Sequence, residues 1–452
     1  MTEPQRRPKN QHYLEILEAG LERGRVEQLT RFLDTLHPAE VADLLESLPR
    51  TQRMAAWELV PEDKDGEVLA ELGEDVRNDL IRAMDAEELA AAASHLDVDD
   101  SADLLMGLPE AVIEEVLASL DKQDRQRLEA VLQYGKDSAG GLMDTDTVTV
   151  RPSVTVDVVL RYLRRRGQLP PSTDMLFVVN REDRYLGRVS LARIVTEDPE
   201  LTVAEILDQE FEPLADDLPA NEIARLFEDR DLISAPVVDQ HRRLLGRITI
   251  DDVVDVIRDQ ANSALLAGTG LREEEDIFGP LVPASVRRGI WLGLNLFTAF
   301  LAAWVIGLFE ATLQQLVALA VLMPIVASMG GIAGTQTLTL AIRGLALGQL
   351  GSANMRFMLV KELGVAALNG LVWALVVAAI AGLWFQNPGL SAIIAAAILI
   401  NIASAAFAGV GIPVLLHRFG IDPALAGGVI LTTVTDIVGF LSFLGLAALL
   451  LV

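Results

Sequence analysis

The chain has 452 residues, no cysteine and a formal net charge of −27. The missing cysteine excludes disulfides, thiolate metal sites and thiol nucleophiles. The acidic balance argues against nucleic acid, which needs a basic surface, and favours cations as partners. The alternative is that much of the excess negative charge serves only to keep the protein soluble.

The charge is concentrated in the first part of the chain. All but four of the 64 acidic residues precede Arg287, and the first long apolar run begins near Gly289. The N-terminus has no apolar core of the kind found in a signal peptide. We therefore expect an acidic cytosolic half followed by a nearly uncharged membrane half.

Residues 1–135 show apolar residues at helical spacing, interrupted by prolines. Two similar phrases, HPAEVADLLESLP (37–49) and VDDSADLLMGLP (98–109), predict stacked helical hairpins in an all-α superhelical N-domain. This stretch contains no nucleophile–base pair and no glycine-rich loop, so we expect it to bind or regulate and not to catalyse.

Residues 136–258 contain an internal duplication. FVVNREDRYLGRVSLARIV (177–195) and PVVDQHRRLLGRITIDDVV (236–254) align at an offset of 59 residues, with Gly187 and Gly246 in equivalent places. Each copy predicts a strand, a polar turn, a second strand and the start of a helix. This duplication resembles a tandem pair of CBS domains, a module that often senses ligands.

In many such modules a Ser or Thr, with an Asp three residues later, holds the ribose of an adenine nucleotide. The second copy keeps Thr249 and Asp252, whereas the first has Ser190 and Arg193. At most one nucleotide site is therefore intact, with ATP as the candidate ligand. Alternatively, these residues only cap the following helix.

That helix carries Asp252, Asp255 and Asp259 on one face, where like charges repel. A bound divalent cation would relieve the repulsion, because hard cations take carboxylate oxygens; a solvated acidic face is the alternative. Residues 260–286 are then expected to form a connecting helix that leads into the membrane half.

Five apolar spans follow, each long enough to cross a bilayer. Lys and Arg fall only in alternate loops, so the positive-inside rule puts the N-terminal half in the cytosol and Val452 outside. The spans cover approximately residues 289–309, 316–341, 363–385, 390–414 and 424–451.

The second span contains residues that weaken a helix, namely Pro324 and the glycines Gly330 and Gly331. We expect this span to be interrupted beside a cavity, because unwound backbone at membrane depth must be enclosed by protein or line water. Plain packing of small residues against neighbouring helices is the alternative.

The last span contains a single ionisable residue, Asp436, with Thr432 and Thr433 one turn before it. A carboxylate at this depth is costly and by default marks an ion path. The alternative is a buried Asp that caps or pairs with another helix.

The order of these segments resembles the MgtE family of magnesium channels over essentially the whole chain. Its more specific marks are AGGLM (139–143), the second-span pattern from Pro324 to Gln336, and GIDPALAGGVILTTVTDIVG (420–439). The resemblance implies a homodimer with the pore along the subunit interface, where Asp436 faces its symmetry mate and holds hydrated Mg²⁺. This chain has Ile332 where the family usually has Asn.

The resemblance also implies a Mg²⁺ sensor in the cytosolic half, where bound ions would bridge acidic domains and let the connecting helix close the pore. The matching sensor residues are Glu67, Asp99, Asp103, Asp231, Asp252 and Asp255. The pore-lining residues would be Pro324, Gly330, Gly331, Gln336, Thr432 and Thr433.

Together these observations predict a multi-domain membrane protein with an all-α superhelical N-domain, α/β tandem CBS domains and a five-transmembrane-helix α domain. We expect a non-enzymatic, Mg²⁺-gated Mg²⁺ channel of the inner (cytoplasmic) membrane, a homodimer that could also pass Co²⁺ or other divalent ions. A non-conducting CBS-type regulator and a Na⁺- or H⁺-coupled divalent-cation exchanger are the alternatives. The expected boundaries are 1–135 (N-domain), 136–200 and 201–259 (CBS domains), 260–286 (connecting helix) and 287–452 (membrane domain).

Overall fold

The computed structural model describes residues 9–94, 96–106, 108–267, 271, 276–351 and 353–451. These residues form two compact units. The first unit contains the described residues up to Ala261 together with 276–279. The second, here called the membrane unit, contains those from Asn262 to Leu271 and from Pro280 onward.

The described N-terminal part of the first unit is a stack of short helices. Proline and capping groups define where they begin: Pro38 is the first residue of its helix, and the Glu40 side chain accepts from His37 N at 3.2 Å. Val41 and Leu44 are buried, as the helical spacing predicts. The helices are α1 (Lys9–Glu22), α2 (Val26–Asp34), α3 (Pro38–Glu46), α4 (Arg50–Trp57), a 3-10 helix (Glu62–Lys64), α5 (Asp65–Glu71), α6 (Glu74–Ile81), α7 (Ala86–Ser94), α8 (Val98–Leu105), α9 (Glu110–Ser119) and α10 (Lys122–Leu132).

Two copies of a small α/β fold follow. In each copy the central strand of a three-stranded sheet pairs with one parallel and one antiparallel neighbour. The first copy contains β1 (Thr149–Val150), α11 (Val156–Arg166), β2 (Met175–Val179), β3 (Tyr185–Ser190) and α12 (Leu191–Thr196). The second contains α13 (Val203–Ile206), β4 (Leu214–Ala215), α14 (Ala220–Arg230), β5 (Ser234–Val238), β6 (Leu244–Thr249) and α15 (Ile250–Ala267). The last two strands of each copy repeat at the offset of the sequence duplication, so the predicted tandem pair is confirmed.

The equivalent glycines of the two copies allow close chain crossings. A Cβ at Gly187 would lie 2.3 Å from the carbonyl oxygen of Asp208, and one at Gly246 would lie 2.6 Å from that of Asp144. Neither distance is compatible with a side chain. Glycine therefore lets another segment pair beside the third strand, as Asp144 does with Arg247.

Five helices in the described part of the membrane unit are long and apolar enough to cross a membrane. The fourth is the most enclosed, because it packs against the second, third and fifth. Many of its buried residues are small, which permits close helix approach. The spanning helices are α16 (Leu281–Gly307), α18 (Ala318–Ala346), α19 (Met355–Phe385), α20 (Pro388–Arg418) and α21 (Pro423–Leu450), with the short α17 (Glu310–Gln315) after the first.

The second span, α18, is a continuous helix, so the predicted interruption is wrong. Pro324 lies in its second turn, where it leaves the helix unbroken. Gly330 is buried against Asn401, and a Cβ at Gly334 would lie 3.0 Å from the Leu431 side chain. The glycines therefore serve close packing, and this packing offsets their weak helix propensity.

The connecting helix predicted for 260–286 is described only in part. α15 continues to Ala267, residues 276–279 form a turn, and α16 begins at Leu281. Residues 268–270 and 272–275 lie outside the described residues.

Candidate cation sites

Two carboxylates meet within the first unit, where α8 approaches the start of α15. Asp99 is 7% exposed, and its Oδ1 has no hydrogen-bond partner in the described part of the chain. Its side chain lies within hydrogen-bonding reach of Asp252. Asp252 Oδ2 in turn accepts from the backbone N and Oγ1 of Thr249 at 3.1 and 3.0 Å. Two carboxyl groups this close and this buried need a shared proton or a cation.

The carboxyl groups of this cluster resist ionisation. Burial raises the pKa of Asp99 well above its ordinary value, and the charge of Asp252 adds to the effect. Burial and the charge of Asp251 raise the pKa of Asp252 to about 7. Burial and the charge of Asp252 raise the pKa of Asp100 to about 7. The folded cluster therefore holds protons that the unfolded chain releases near pH 4, and it loses stability as the pH rises from about 4 to about 7.

Asp103 and Asp255, two further predicted sensor residues, border this cluster. The charges of both contribute to the raised pKa of Asp100. Each also faces a cation: Lys136 Nζ lies 3.3 Å from Asp103 Oδ2, and Arg258 Nη2 lies 3.2 Å from Asp255 Oδ1. These two carboxylates are partly neutralised by the chain itself.

Glu67 and Asp231 have different surroundings from Asp99. Glu67 is exposed on α5, and Asp231 is exposed at the C-terminal end of α14 with a left-handed backbone (φ 51°). The carboxylates that raise the pKa of Asp99 belong to Asp252, Asp100, Asp144 and Asp97. The sensor role of Glu67 and Asp231 stays a prediction.

Three aspartates of this arrangement were not among the predicted site residues: Asp97, Asp100 and Asp144. Asp144 is buried and lies 3.4 Å from Arg247 Nη2. The aspartate-rich runs VDD and MDTD were a visible signal in the sequence, but their convergence was not. Asp97 and Asp144 also line a cavity of about 200 Å³, whose other charged lining residues are Asp124, Arg127 and Asp146.

Among the described residues, no three His, Cys, Asp or Glu side chains stand close enough together to hold a metal ion. Mg²⁺ usually keeps several waters and takes only one or two carboxylates from a protein. The pair of Asp99 and Asp252, with its unpartnered oxygen, fits such an ion.

The residues predicted to bind a nucleotide act as helix caps in the structure. Thr249 and Asp252 bond to each other at the start of α15. In the first copy, Ser190 Oγ accepts from Arg193 N at 3.2 Å, and the Arg193 guanidinium donates to Ile206 O at 2.9 Å. The capping alternative therefore accounts for both pairs, and nucleotide binding stays a prediction.

Asp436 lies about 20 Å along α21, close to the middle of the span. It is partly buried, and no described residue forms a hydrogen bond or ion pair with its carboxylate. Thr432 and Thr433 donate their hydroxyl protons to the carbonyls of Gly428 and Val429 at 2.9 and 2.7 Å, so their oxygen lone pairs are available. A carboxylate at this depth that no described residue pairs needs a proton, water or a cation to offset its cost.

A second carboxylate of the spans, Glu362 on α19, is partnered. It is 5% exposed, accepts from Thr337 Oγ1 at 3.0 Å and lies 3.5 Å from Lys361 Nζ. Glu362 is therefore a structural carboxylate, whereas Asp436 is a candidate ion ligand.

The predicted pore-lining residues have mixed surroundings in the single chain. Gly330 is buried against Asn401, whereas Gly331 and Thr433 are partly exposed. The exposed members are Pro324, Gln336 and Thr432, and the neighbouring Ile332 is 61% exposed. Polar side chains that a membrane helix leaves uncovered normally face protein or water and not lipid.

Asn401 joins three spanning helices beside Asp436. It is fully buried on α20, and its Nδ2 donates to Val326 O on α18 at 2.8 Å. A Cβ at Gly330 would lie 2.2 Å from this Nδ2, and one at Gly439 would lie 2.7 Å from it. Because Gly439 follows Asp436 by one turn, Asn401 sets how closely α21 approaches at the carboxylate.

The fold and these sites together define a class: a membrane protein with an acidic CBS-containing module, five spanning helices in its described part, and a carboxylate in the last span that no described residue pairs with. Family models agree in chain order. The MgtE intracellular N domain matches residues 36–137, the CBS domain matches 139–200 and 203–259, and the divalent cation transporter MgtE matches 323–446.

The chain is 31% identical to the magnesium transporter MgtE of Thermus thermophilus over 440 residues, which cover 96% of this chain and 98% of that one. It is 26% identical to the magnesium transporter MgtE of Bacillus subtilis over 424 residues, 94% of each chain. A crystal structure of the cytosolic domain of the Mg²⁺ channel MgtE in complex with ATP shares 32% identity, with a TM-score of 0.49, over 53% of this chain and 98% of that one. This chain belongs to the MgtE family of magnesium transporters, a family of transporters and not of enzymes, as the sequence predicts.

The Asn401 contact can be tested by compensation. Gly439→Ala puts a methyl group against the Asn401 amide, and overpacking of this kind costs about 1–3 kcal/mol. We expect a lower thermal unfolding temperature, and we expect Asn401→Ala to recover part of it in the double variant. Gly445→Ala on the same helix is the control, since its Cβ would meet its nearest neighbour at 3.8 Å. Strictly additive losses in the double variant would contradict the contact.

The raised pKa values predict a pH dependence. In EDTA, thermal stability of the first unit should fall as the pH rises from 5 to 7 and then level off, because Asp100 and Asp252 lose protons up to about pH 7. Asp252→Asn should flatten this slope, and added Mg²⁺ should restore stability at pH 8. Asp231→Asn serves as the control for the slope in EDTA, because Asp231 is exposed and no metal ion is present to bind it. A slope that Asp252→Asn leaves unchanged would refute this account.

Proposed function

We propose that this chain forms a homodimeric, Mg²⁺-gated Mg²⁺ channel that mediates uptake across the cytoplasmic membrane, with the N-terminal half in the cytosol and Val452 outside. The observation that carries the proposal is Asp436, a carboxylate near the middle of a span that no described residue of its own chain pairs with. In a symmetric dimer with the pore at the interface, two such carboxylates would face each other. One carboxylate per chain would then suffice.

Two facing carboxylates suit a hydrated Mg²⁺ ion. Mg²⁺ loses its water reluctantly, so oxygens that accept hydrogen bonds from its water shell can hold it without dehydrating it. Thr432 and Thr433 have hydroxyl oxygens free to accept such bonds. Inward movement of two charges is favoured by about 4.6 kcal/mol per 100 mV of membrane potential.

The surroundings of the other pore-lining candidates support an interface. Gln336 and Thr432 are polar and exposed in the single chain, where a second subunit or water would satisfy them. The orientation is supported by the loops, because Arg343, Arg356 and Arg418 fall on one side of the membrane by the positive-inside rule.

The sensor is proposed to be the acidic contact between the N-domain and the CBS pair. Once ionised, the carboxylates of Asp99 and Asp252 repel each other, and a bridging Mg²⁺ would remove the repulsion. High cytosolic Mg²⁺ would thus favour the closed arrangement, and low Mg²⁺ would release it. The proposed sensor also includes Glu67, Asp103, Asp231 and Asp255, and the proposed closing element is the connector at 260–286.

Adenine nucleotide binding is proposed for the second CBS copy alone. Arg193 occupies the equivalent place in the first copy and is held by Ile206 O and Glu197. A ribose bound at Thr249 and Asp252 would compete with the bond between these two side chains.

The pore residue is tested by Mg²⁺ flux into proteoliposomes. Asp436→Asn keeps the size of the side chain but removes its charge. We expect at least a roughly tenfold loss of flux, because losing about 1.4 kcal/mol of ion stabilisation already has this effect. Asp422→Asn is the matched control, since Asp422 caps the same helix at its exposed end and Asn caps equally well.

The same assay separates the competing functions. Equal flux in the wild type and in Asp436→Asn would contradict the assignment of Asp436 to the pore. No flux in the wild type at low internal Mg²⁺ would favour a non-conducting regulator. Flux that depends on a Na⁺ or H⁺ gradient would favour an exchanger.

The sensor is tested by protease protection of the connector. We expect cytosolic-side Mg²⁺ to slow cleavage between 260 and 286 in the full-length protein by more than about tenfold, because opening exposes this segment. Asp252→Ala with Asp255→Ala should abolish the protection. Asp259→Ala, at an exposed position of the same helix, should keep it. Unchanged protection in the double variant would refute these sensor residues.

A further inference from the structure

The first unit contains a fully buried arginine whose charge is matched by a residue far along the chain. Arg53, on α4, has no exposed surface. Its Nη1 and Nη2 donate to Asp276 Oδ2 and Oδ1 at 2.7 and 3.0 Å. This is the two-pronged geometry of a strong arginine–carboxylate pair, and it joins residues 223 positions apart.

The N-domain holds the guanidinium in place. Arg53 Nε donates to Leu45 O at 2.9 Å, and Nη2 donates to Leu48 O at 3.0 Å. These carbonyls lie at and just beyond the C-terminal end of α3, where a helix leaves carbonyls without partners and a cation is favourable. The remaining edge of the guanidinium faces Asp276. We call this arrangement of Arg53, Leu45 O and Leu48 O the Arg53 pocket.

Asp276 presents its carboxylate from a tight turn. Its side chain is 8% exposed, and Oδ1 also accepts from Phe278 N at 2.8 Å. Gly279 N donates to Asp276 O at 3.1 Å. Ile277, by contrast, is 89% exposed, and Phe278 is 43% exposed. The carboxylate, and not burial of apolar side chains, therefore attaches this turn.

The attachment is specific because the charge on Arg53 is buried. Among the described residues, no other carboxylate forms an ion pair with Arg53. Release of Asp276 would leave a buried guanidinium unmatched, which is strongly unfavourable. The buried ion pair therefore strongly favours the docked turn over a released one.

The Asp276 turn lies directly before the first spanning helix. Residues 276–279 belong to the first unit, and Pro280 caps α16, the first spanning helix. The chain therefore passes directly from the Arg53 contact into the membrane. α15 is the other described element that leads out of the first unit.

We propose that the Arg53 pocket is the docking site of the N-domain for the Asp276 turn, and that this docking couples the N-domain to the start of the first membrane helix. The docking stands independently of transport. The coupling rests on the proposed Mg²⁺-gated channel function. The docking attaches the turn to the N-domain non-covalently, in addition to the covalent connection through α15.

Amide hydrogen exchange of the full-length protein tests the docking. Asp276→Asn preserves the shape of the turn but removes the charge. We expect the Phe278 and Gly279 amides to exchange roughly 100-fold faster, because one partner of a buried pair is lost. The matched control is Asp79→Asn, which removes the ion pair of Asp79 with Arg50, a partly exposed residue on the same helix as Arg53. There we expect less than about a threefold change in exchange at the Asp276 turn. Unchanged exchange in Asp276→Asn overturns the docking.

A second variant guards against a general loss of folding. Arg53→Met should accelerate exchange at Phe278 to a similar extent, and the double variant with Asp276→Asn should add little, since both changes remove one contact. Additive acceleration in the double variant overturns a direct pair.

The coupling is tested by Mg²⁺ flux into proteoliposomes at graded internal Mg²⁺. In Asp276→Asn we expect the Mg²⁺ concentration that halves the flux to rise at least about threefold, with flux at low Mg²⁺ unchanged. Asp79→Asn should behave as wild type. Faster exchange together with an unchanged Mg²⁺ response overturns the coupling and supports the docking alone. If Mg²⁺ does not reduce the flux of the wild-type protein, the proposed gating is contradicted. The hydrogen-exchange data still decide whether the Asp276 turn docks.

Discussion

The cost of burying a carboxylate without a matching cation is the constraint on which this protein depends. A buried carboxylate needs a proton, an ion pair or a metal ion, because water no longer solvates it. In the first unit Asp99 and Asp252 crowd together, and burial raises the pKa of both. In the membrane unit Asp436 stands near mid-span, where no described residue pairs with it. Each place therefore needs a proton or a cation to offset the cost of burial.

Other carboxylates of the chain show how the same cost is met internally. Glu362 accepts from Thr337 and lies near Lys361, and Asp276 is held in two-pronged fashion by Arg53. These groups are satisfied and hold structure together. Glu362 and Asp276 therefore belong to the framework of the protein, whereas Asp99, Asp252 and Asp436 are the candidates for binding an ion.

Much of the fold could be predicted from the sequence, and part of the candidate site could not. The 59-residue offset of the duplication reappears in the strand pairs, and each predicted span lies largely within a spanning helix. The second span was predicted to be interrupted and is continuous, because Asn401 and Leu431 occupy the space beside Gly330 and Gly334. A glycine pattern alone does not distinguish an unwound segment from a close helix contact.

What the sequence determined by itself is local: hydropathy, charge sign and the repeat. These set the spans, the expected orientation and the paired CBS fold, because periodicity and apolar length act over neighbouring residues. What only the tertiary structure decided is the partner of each charge. Arg53 meets Asp276 and Asp99 meets Asp252 across more than a hundred residues of chain. Solvation and pairing depend on such distant neighbours, so the same residue type is a framework group in one place and a candidate ion ligand in another.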